Sequence, residues 1–350
     1  MNRTKRQAVW SDTCAADGDL LVATSFDHPG YGPAVAPAAA LVAAALRAEG
    51  HDARAVPAGP TGHGTSRSWH GFAYLDPRLG TVGLAVGARA DDPDGQRVAA
   101  RCTATWERTV ATRRILLPGL GVPVPRGSEP AGLRRSRSTV RAFLRRGDAV
   151  LVIGPATTAF DHLDGAENRH RLYTVPGPAI TAELERLDPD RVSFVFSPEV
   201  VVEDATRTLR VLRARFPALR GQHPDEWPYR SADRLDTLVA LCSAADEVWS
   251  LSPSGRPGRL LGTAVERTAS RLRVLTDPTD VRPDWLTLDT RTIALVPGPA
   301  ARTGEAVHRL ITLLGGLGPL SVVQRQMHST VLSFAGAEAP ANAPDRVRNS

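Results

Sequence analysis

Cysteine is scarce: the 350 residues contain only Cys14, Cys102 and Cys242. They are odd in number, widely separated and without a CxxC pair, which argues against a disulfide framework. Cys242 closes the apolar stretch Leu238 to Cys242, where a cysteine reads as a small core hydrophobe. No apolar run approaches the roughly 20 residues needed to cross a bilayer, which excludes a membrane-spanning chain. The opening stretch, Met1 to Gly18, lacks the apolar segment of a secretory signal, so cytoplasm is the expected location. Lysine is almost missing too. Lys5 is the single lysine among 43 basic residues, and this arginine bias, with abundant Ala, Gly and Pro, reads as coding background rather than selection for phosphate contacts.

What is present bounds the fold. A chain of this length with 42% apolar content buries a substantial core, and at roughly 100–200 residues per domain it should hold two or three domains. The net charge of +6 and pI near 9.9 raise the question of nucleic acid, with Arg134, Arg135, Arg137, Arg145 and Arg146 forming the densest basic stretch. Leu133, Val140, Phe143 and Leu144 interleave with them at helical spacing, so the expectation is the solvated face of an amphipathic helix, and nucleic acid is not the expected partner.

Composition marks Met1 to Ala16, Pro57 to Ser68 and Ala335 to Ser350 as tails and a loop, with His63 and His70 expected at the solvent. Leu20 to Ser25 reads as a buried strand and Ala38 to Glu49 as an alanine-rich helix. Gly71 to Thr109, broken by Asp76-Pro77 and by Asp91 to Gly95, reads as an antiparallel meander. From Ile115 strands and helices alternate. Strands are predicted at Ala149 to Ile153, Val192 to Phe196, Glu247 to Leu251, Arg273 to Leu275 and Thr292 to Val296. Helices are predicted at Leu133 to Arg146, Ile180 to Leu187, Val202 to Phe216, Ala232 to Ala244, Arg259 to Ser270 and Glu305 to Leu314. Leu320 to Phe334 reads as a closing hairpin. Such alternation implies parallel α/β units. Ligands of such units sit in the loops after the strands, here 154–162, 197–200, 252–259 and 297–303.

The run Ser193 to Asp204, then Leu212 to Pro217, Gly221 and Asp225 to Tyr229, continuing to Leu261, resembles the LytB/IspH family of hydroxymethylbutenyl diphosphate reductases. Glu129 to Asp190 and Arg271 to Phe334 extend the likeness less closely. In that family three cysteines hold a 4Fe-4S cluster whose fourth iron takes the substrate. Here the matching positions carry Glu129 and Pro228, with the first falling near Ala36. Carboxylate and proline are poor replacements for a thiolate, so no cofactor is predicted and the family's cluster is expected to be absent. Other family positions have changed as well. The histidine-bearing loop becomes Pro155 to His162, the paired threonines become Pro198-Glu199, and the Ser-Ser-Asn loop becomes Ser252 to Gly258, with Arg259-Leu260 retained.

The resemblance implies an α/β fold of three units with short parallel sheets around a pseudo-threefold central cavity, plus an antiparallel β-rich insertion in the N-terminal part. The expected divisions are flexible tails at 1–18 and 335–350, an N-terminal unit with the meander at 19–118, a second unit at 119–200, and a third with the closing hairpin at 201–334.

Candidate catalytic residues are Glu199, Glu129 and His162. Each has a plainer reading: Glu129 and Glu199 suit helix starts electrostatically, and Asp161-His162 suits a polar loop tip. Candidate ligand-binding residues are Thr158, Ser197, Ser252, Ser254, Arg256 and Arg259. The last four surround Gly255 and Gly258 between a strand and a helix, where backbone N–H groups cradle phosphate. No metal ligands are predicted. The reading is therefore a divergent family member that binds a small anionic, phosphorylated molecule without the cluster, its activity changed or lost. An enzyme retaining the isoprenoid reductase reaction, an oxidoreductase acting on an allylic diphosphate, is the alternative. An arginine-rich nucleic-acid or protein-binding module is a second. Oligomeric state is not legible.

Overall fold

A computed structural model describes residues 5–57, 64–119, 131–160, 169–298 and 303–330. The fold is α/β, with two short parallel sheets and a third, mostly antiparallel one, and the chain divides into two compact units, 1–121 with 235–326, and 122–234 with 327–350.

In the first unit, β1 (Arg6–Cys14), β2 (Leu20–His28), β3 (Gly32–Val35), β4 (Ala53–Pro57), β5 (Thr65–Asp76) and β6 (Gly80–Arg89) form the sheet β1-β5-β6-β3-β2-β4. Two helices accompany it, α1 (Ala39–Ala48) and α2 (Pro93–Arg108). The same unit holds the sheet β13-β12-β14-β7-β15, all parallel, from β7 (Arg113–Pro118), β12 (Glu247–Leu251), β13 (Leu272–Leu275), β14 (Thr292–Pro297) and β15 (Leu320–Arg325). One core joins them: Leu41, Val42 and Leu46 of α1 pack in the same cluster as Phe72, Trp249, Leu251, Ile293 and Leu295. Among the described residues of the second unit, β8 (Ala149–Ile153), β9 (Leu172–Val175), β10 (Val192–Phe196) and β11 (Arg220–Gly221) form the parallel sheet β11-β10-β8-β9. Helix α3 (Ala131–Arg145) covers one face through Val140, Phe143 and Leu144. After the short α4 (Ala182–Glu185), α5 (Val202–Arg215) covers the other through Ala205, Leu209 and Leu212. Helix α6 (Tyr229–Ser243) leads back to the first unit, where α7 (Arg259–Thr268) and α8 (Thr303–Gly315) follow β12 and β14.

Several expectations are corrected. Within the segment expected as a tail, Arg6–Cys14 is a strand that pairs antiparallel with β5 along its whole length. The Gly71 to Thr109 meander ends at Arg89. Asp92 then caps α2, accepting from the N–H groups of Asp94 at 3.1 Å and Gly95 at 3.0 Å with Pro93 at the first turn, so the residues read as a turn are a helix start. Leu320–Arg325 does not open a hairpin. It pairs parallel with β7, and Ser329 farther on donates from its N–H to the Asp233 carboxylate at 3.0 Å. Strand β7 lies between β14 and β15, so the sheets do not follow the sequential divisions expected at 118 and 200. The 335–350 segment and His63 lie outside the described residues.

His70 is not at the solvent either. It is half-buried on β5, and its Nε2 is buried without a hydrogen-bond partner. His28, fully buried, accepts the Gly30 N–H at Nδ1 and donates from Nε2 to the Arg6 carbonyl, both at 3.1 Å. Burial pushes both imidazoles below their ordinary pKa, and the Arg6 charge adds to the effect at His28 while its carbonyl bond opposes it. The unfolded chain, with imidazoles near pH 6.5, therefore binds more protons than the folded one just below that pH. Stability is complete above about pH 6.5 and is lost as pH falls through that value toward the folded pKa values. Urea midpoints measured at pH 7.5 and 5.5 should drop toward acid, and a His28→Gln, His70→Gln double variant should flatten the dependence. An undiminished slope in that variant would rule the two histidines out as its source.

Candidate functional site

The candidate loops fall into both units. In the second unit β10 ends at Phe196, and Ser197 donates its N–H to the Ile153 carbonyl at 2.9 Å, carrying the sheet one residue further. Ser197 is 0% exposed and its Oγ is buried with no partner. Pro198 and Glu199 form a turn pinned by Ser231, whose Oγ donates to the Pro198 carbonyl at 3.0 Å, and Glu199 stands exposed on it. Helix α5 starts after Val201 with no side-chain cap, and Glu203 and Asp204 occupy its first turn. Thr158 opens a single 3-10 turn, Thr158–Phe160. Glu129 and His162 lie outside the described residues.

Gln222 organises this end of the sheet, and nothing in the sequence signals it. Its Oε1 accepts the Phe196 N–H at 3.0 Å, and its Nε2 donates to Ser136 Oγ at 3.0 Å and to the Glu226 carbonyl at 2.9 Å. Trp227 donates its indole N–H to the Gln222 carbonyl at 3.3 Å and meets Phe196 edge-on, with centroids 4.9 Å apart. Pro228 is thus set between Trp227 and Tyr229, whose rings stack at 6.4 Å.

The loop of the first unit differs in charge. After β12, Ser252 is buried, donates its N–H to the Leu275 carbonyl at 2.8 Å, and shares a 3.0 Å hydroxyl contact with Ser254. Gly255 turns the chain at φ +68°, its N–H donating to the Ser252 carbonyl at 2.9 Å. Ser254, Arg256 and Arg259 are exposed. Helix α7 begins at Arg259 behind Gly258, without a side-chain cap and without an acidic residue in its first turn. Its orphan N–H groups and its positive helix end are therefore uncompensated, in contrast to α5 with two carboxylates, Glu203 and Asp204, in its first turn. An anion is favoured at the first and repelled at the second.

The three cysteines do not assemble. Cys14 ends β1, Cys102 lies in α2 and Cys242 in α6, and all are free. Burial pushes the Cys102 thiol up to about 12 and raises Cys242 as well, away from the thiolate that metals require. Among the described residues no group of three or more His, Cys, Asp and Glu side chains is poised to hold a metal. Of the positions matching the family's cluster cysteines, Ala36 is a buried methyl and Pro228 carries no donor.

No family model matches the chain. Curated relatives do. The chain is 28% identical over 169 residues to the 4-hydroxy-3-methylbut-2-enyl diphosphate reductase of Chromohalobacter salexigens, covering 46% of this chain and 52% of that one. It is 28% identical over 171 residues to the enzyme of the same name from Marinobacter nauticus, covering 48% and 52%. The chain thus spans about half the length of the curated relatives it matches. Among solved structures, the Plasmodium falciparum E-1-hydroxy-2-methyl-but-2-enyl-4-diphosphate reductase is similar with a TM-score of 0.44 and 15% identity, covering 58% of this chain and 64% of that one. In sequence, this chain is similar to the LytB/IspH reductases over about half of their length.

Proposed function

We propose that this protein binds a small phosphorylated anion at the loop from Ser252 to Arg259 and works without a 4Fe-4S cluster, the ancestral reductase reaction having been changed or lost. The observation that carries the reading is the start of α7: an uncapped helix end, no carboxylate in the first turn, and Ser254, Arg256 and Arg259 exposed around it. Guanidinium groups and backbone N–H groups are the donors that phosphate oxygens take. The absence of thiols at the matching positions supports a pocket that supplies no electrons of its own. The cell compartment we propose is the cytoplasm, and no helix among the described residues is long and apolar enough to cross a membrane.

Isothermal titration with dimethylallyl diphosphate and with inorganic pyrophosphate tests the site. The parent should bind at least one, and Arg256→Gln with Arg259→Gln should weaken that binding by about tenfold or more, the scale of two lost charge-assisted hydrogen bonds. Equal affinity in the double variant would remove the loop from the proposal. Anaerobic purification tests the rest: a brown protein carrying iron and sulfide, with turnover of the allylic diphosphate, would restore the reductase reading that the relatives' names suggest.

A further inference from the structure

We propose that His28 is an acid-sensitive clasp: while neutral it ties the turn between β2 and β3 to the start of β1, and on taking up a proton it lets that turn swing away. Strands β1 and β2 are not neighbours in the order β1-β5-β6-β3-β2-β4, yet the sheet curls until the end of β2 reaches the first residue of β1. Trp10 of β1 stacks on Phe26 of β2 with centroids 5.7 Å apart and on Trp69 of β5 at 6.4 Å. His28 closes this curl at one end.

Two backbone groups fix the protonation of the ring. The Gly30 N–H can only donate and the Arg6 carbonyl can only accept, so their 3.1 Å contacts with Nδ1 and Nε2 require the neutral tautomer with its proton on Nε2. The residue is 2% exposed, its ring enclosed by Tyr31 at 5.6 Å, Trp10 at 6.2 Å and Phe26 at 6.4 Å. A second proton, on Nδ1, would point at the Gly30 N–H and set one donor against another. Charge works in the same direction. Arg6 Nη1 and His28 Cε1 lie 3.7 and 3.6 Å from the point where a Cβ on Gly30 would sit, and the Arg6 guanidinium is held there over the Tyr31 ring at 5.3 Å.

The other groups around the ring do not offset that cation. Gly32, paired with His28 on β3, brings no charge, Tyr31 is the titratable group on the turn, and Asp27 is exposed on the other face of β2. An imidazolium would strengthen its bond to the Arg6 carbonyl, but burial and the Arg6 charge outweigh this and hold the pKa below the ordinary value. The closed form therefore takes a proton less readily than an open one, whose solvated imidazole titrates near pH 6.5. The clasp is complete above about pH 6.5 and weakens as pH falls below it. The register of β1 on β5 runs from Arg6 to Cys14 without His28, so the part that opens is the turn, which bares Phe26 and Trp10. No residue of the Ser252 to Arg259 loop takes part, and the clasp stands or falls apart from that ligand site.

Hydrogen exchange read by mass spectrometry on the full chain tests this. After correction for intrinsic exchange rates, a peptide covering 26–33 should lose up to about tenfold in protection between pH 7.5 and 5.5, the most that one proton can supply over the unit below 6.5. A peptide covering 69–75 of β5 should keep its protection, since the opening is local. His28→Asn, whose carbonyl can take the Gly30 N–H at every pH, should abolish the fall. Arg6→Gln keeps the backbone carbonyl but removes the charge, so it should raise the His28 midpoint followed by NMR and shrink the fall. Equal protection of the parent at both pH values, an unaltered fall in His28→Asn, loss from both peptides together, a midpoint that Arg6→Gln does not raise, or nitrogen shifts placing the neutral proton on Nδ1 would each overturn the proposal.

Discussion

Replacing Arg113 by methionine should lower the unfolding free energy by about 3–4 kcal/mol, read from urea or guanidinium midpoints. Arg113 opens β7 and is 3% exposed, with no ion pair to an acidic side chain among the described residues. Burial pushes its pKa down to about 10, a sign that the fold holds the charge at a cost. What it receives in return is carbonyl oxygen. Nε donates to Thr290 at 3.1 Å, one Nη to Leu286 at 3.1 Å, and the other to Leu317 at 3.3 Å. Leu317 keeps a second donor, the Ala111 N–H, but the Leu286 and Thr290 carbonyls have no other bond of this quality. Methionine fills much of the volume and relieves the buried charge, yet it orphans two buried acceptors at about 1–3 kcal/mol each. The acceptors should win. Lysine provides the control, since its compact ammonium cannot reach three carbonyls in three directions. If charge alone mattered, Arg113→Lys would be nearly neutral; we expect it to be as damaging as methionine. A methionine variant within 1 kcal/mol of the parent would dismiss this account.

Arg113 also shows why part of the fold was legible in the sequence and part was not. Strands Ala149–Ile153, Val192–Phe196 and Glu247–Leu251 match their predicted bounds, because each is a short, mostly apolar run that ends at Gly154, Ser197 or Ser252. Helix Val202–Arg215 was equally clear, its buried Val202, Ala205, Leu209 and Leu212 keeping the helical period up to the stop at Pro217. Helix α2 was hidden because Asp92-Pro93 serves a turn and a helix start alike, and only Ala99, Thr103 and Trp106 of its 16 residues are buried. Strand β1 was hidden because an edge strand with one half-covered face carries Arg6, Gln7, Ser11 and Asp12. In the site, residue types announced the Ser252 to Arg259 loop. Gln222 and Arg113 act through partners 26 to 204 positions away, and no local pattern encodes such contacts.

Gly154→Ala should cost about 3–4 kcal/mol, close to the Arg113 effect and by a different route. Gly154 follows β8 at φ +124°, a conformation that costs an L side chain about 1–3 kcal/mol. A methyl there would also meet Val200 Cβ at 2.7 Å and Ser197 Cβ at 2.9 Å. Neither neighbour is free to retreat, since both are buried, Ser197 is tied to Ile153, and the Val200 N–H donates to the Ser197 carbonyl at 3.1 Å. Overpacking of this kind adds about 1–3 kcal/mol. Val200→Ala removes one collision but not the strain, so a double-mutant cycle should show coupling near 1 kcal/mol and incomplete rescue. Additive effects would mean that the methyl finds room. The same close approach distinguishes the two strand ends. Gly154 lets Ser197 and Val200 close over the end of β8, which leaves Ser197 Oγ sealed. At the equivalent place beside β12, a methyl on Gly298 would meet the Leu251 carbonyl oxygen at 3.1 Å and Ser252 Cβ only at 3.5 Å, and Ser254, Arg256 and Arg259 are exposed beyond it. Tight packing closes one loop, and charge and exposure open the other.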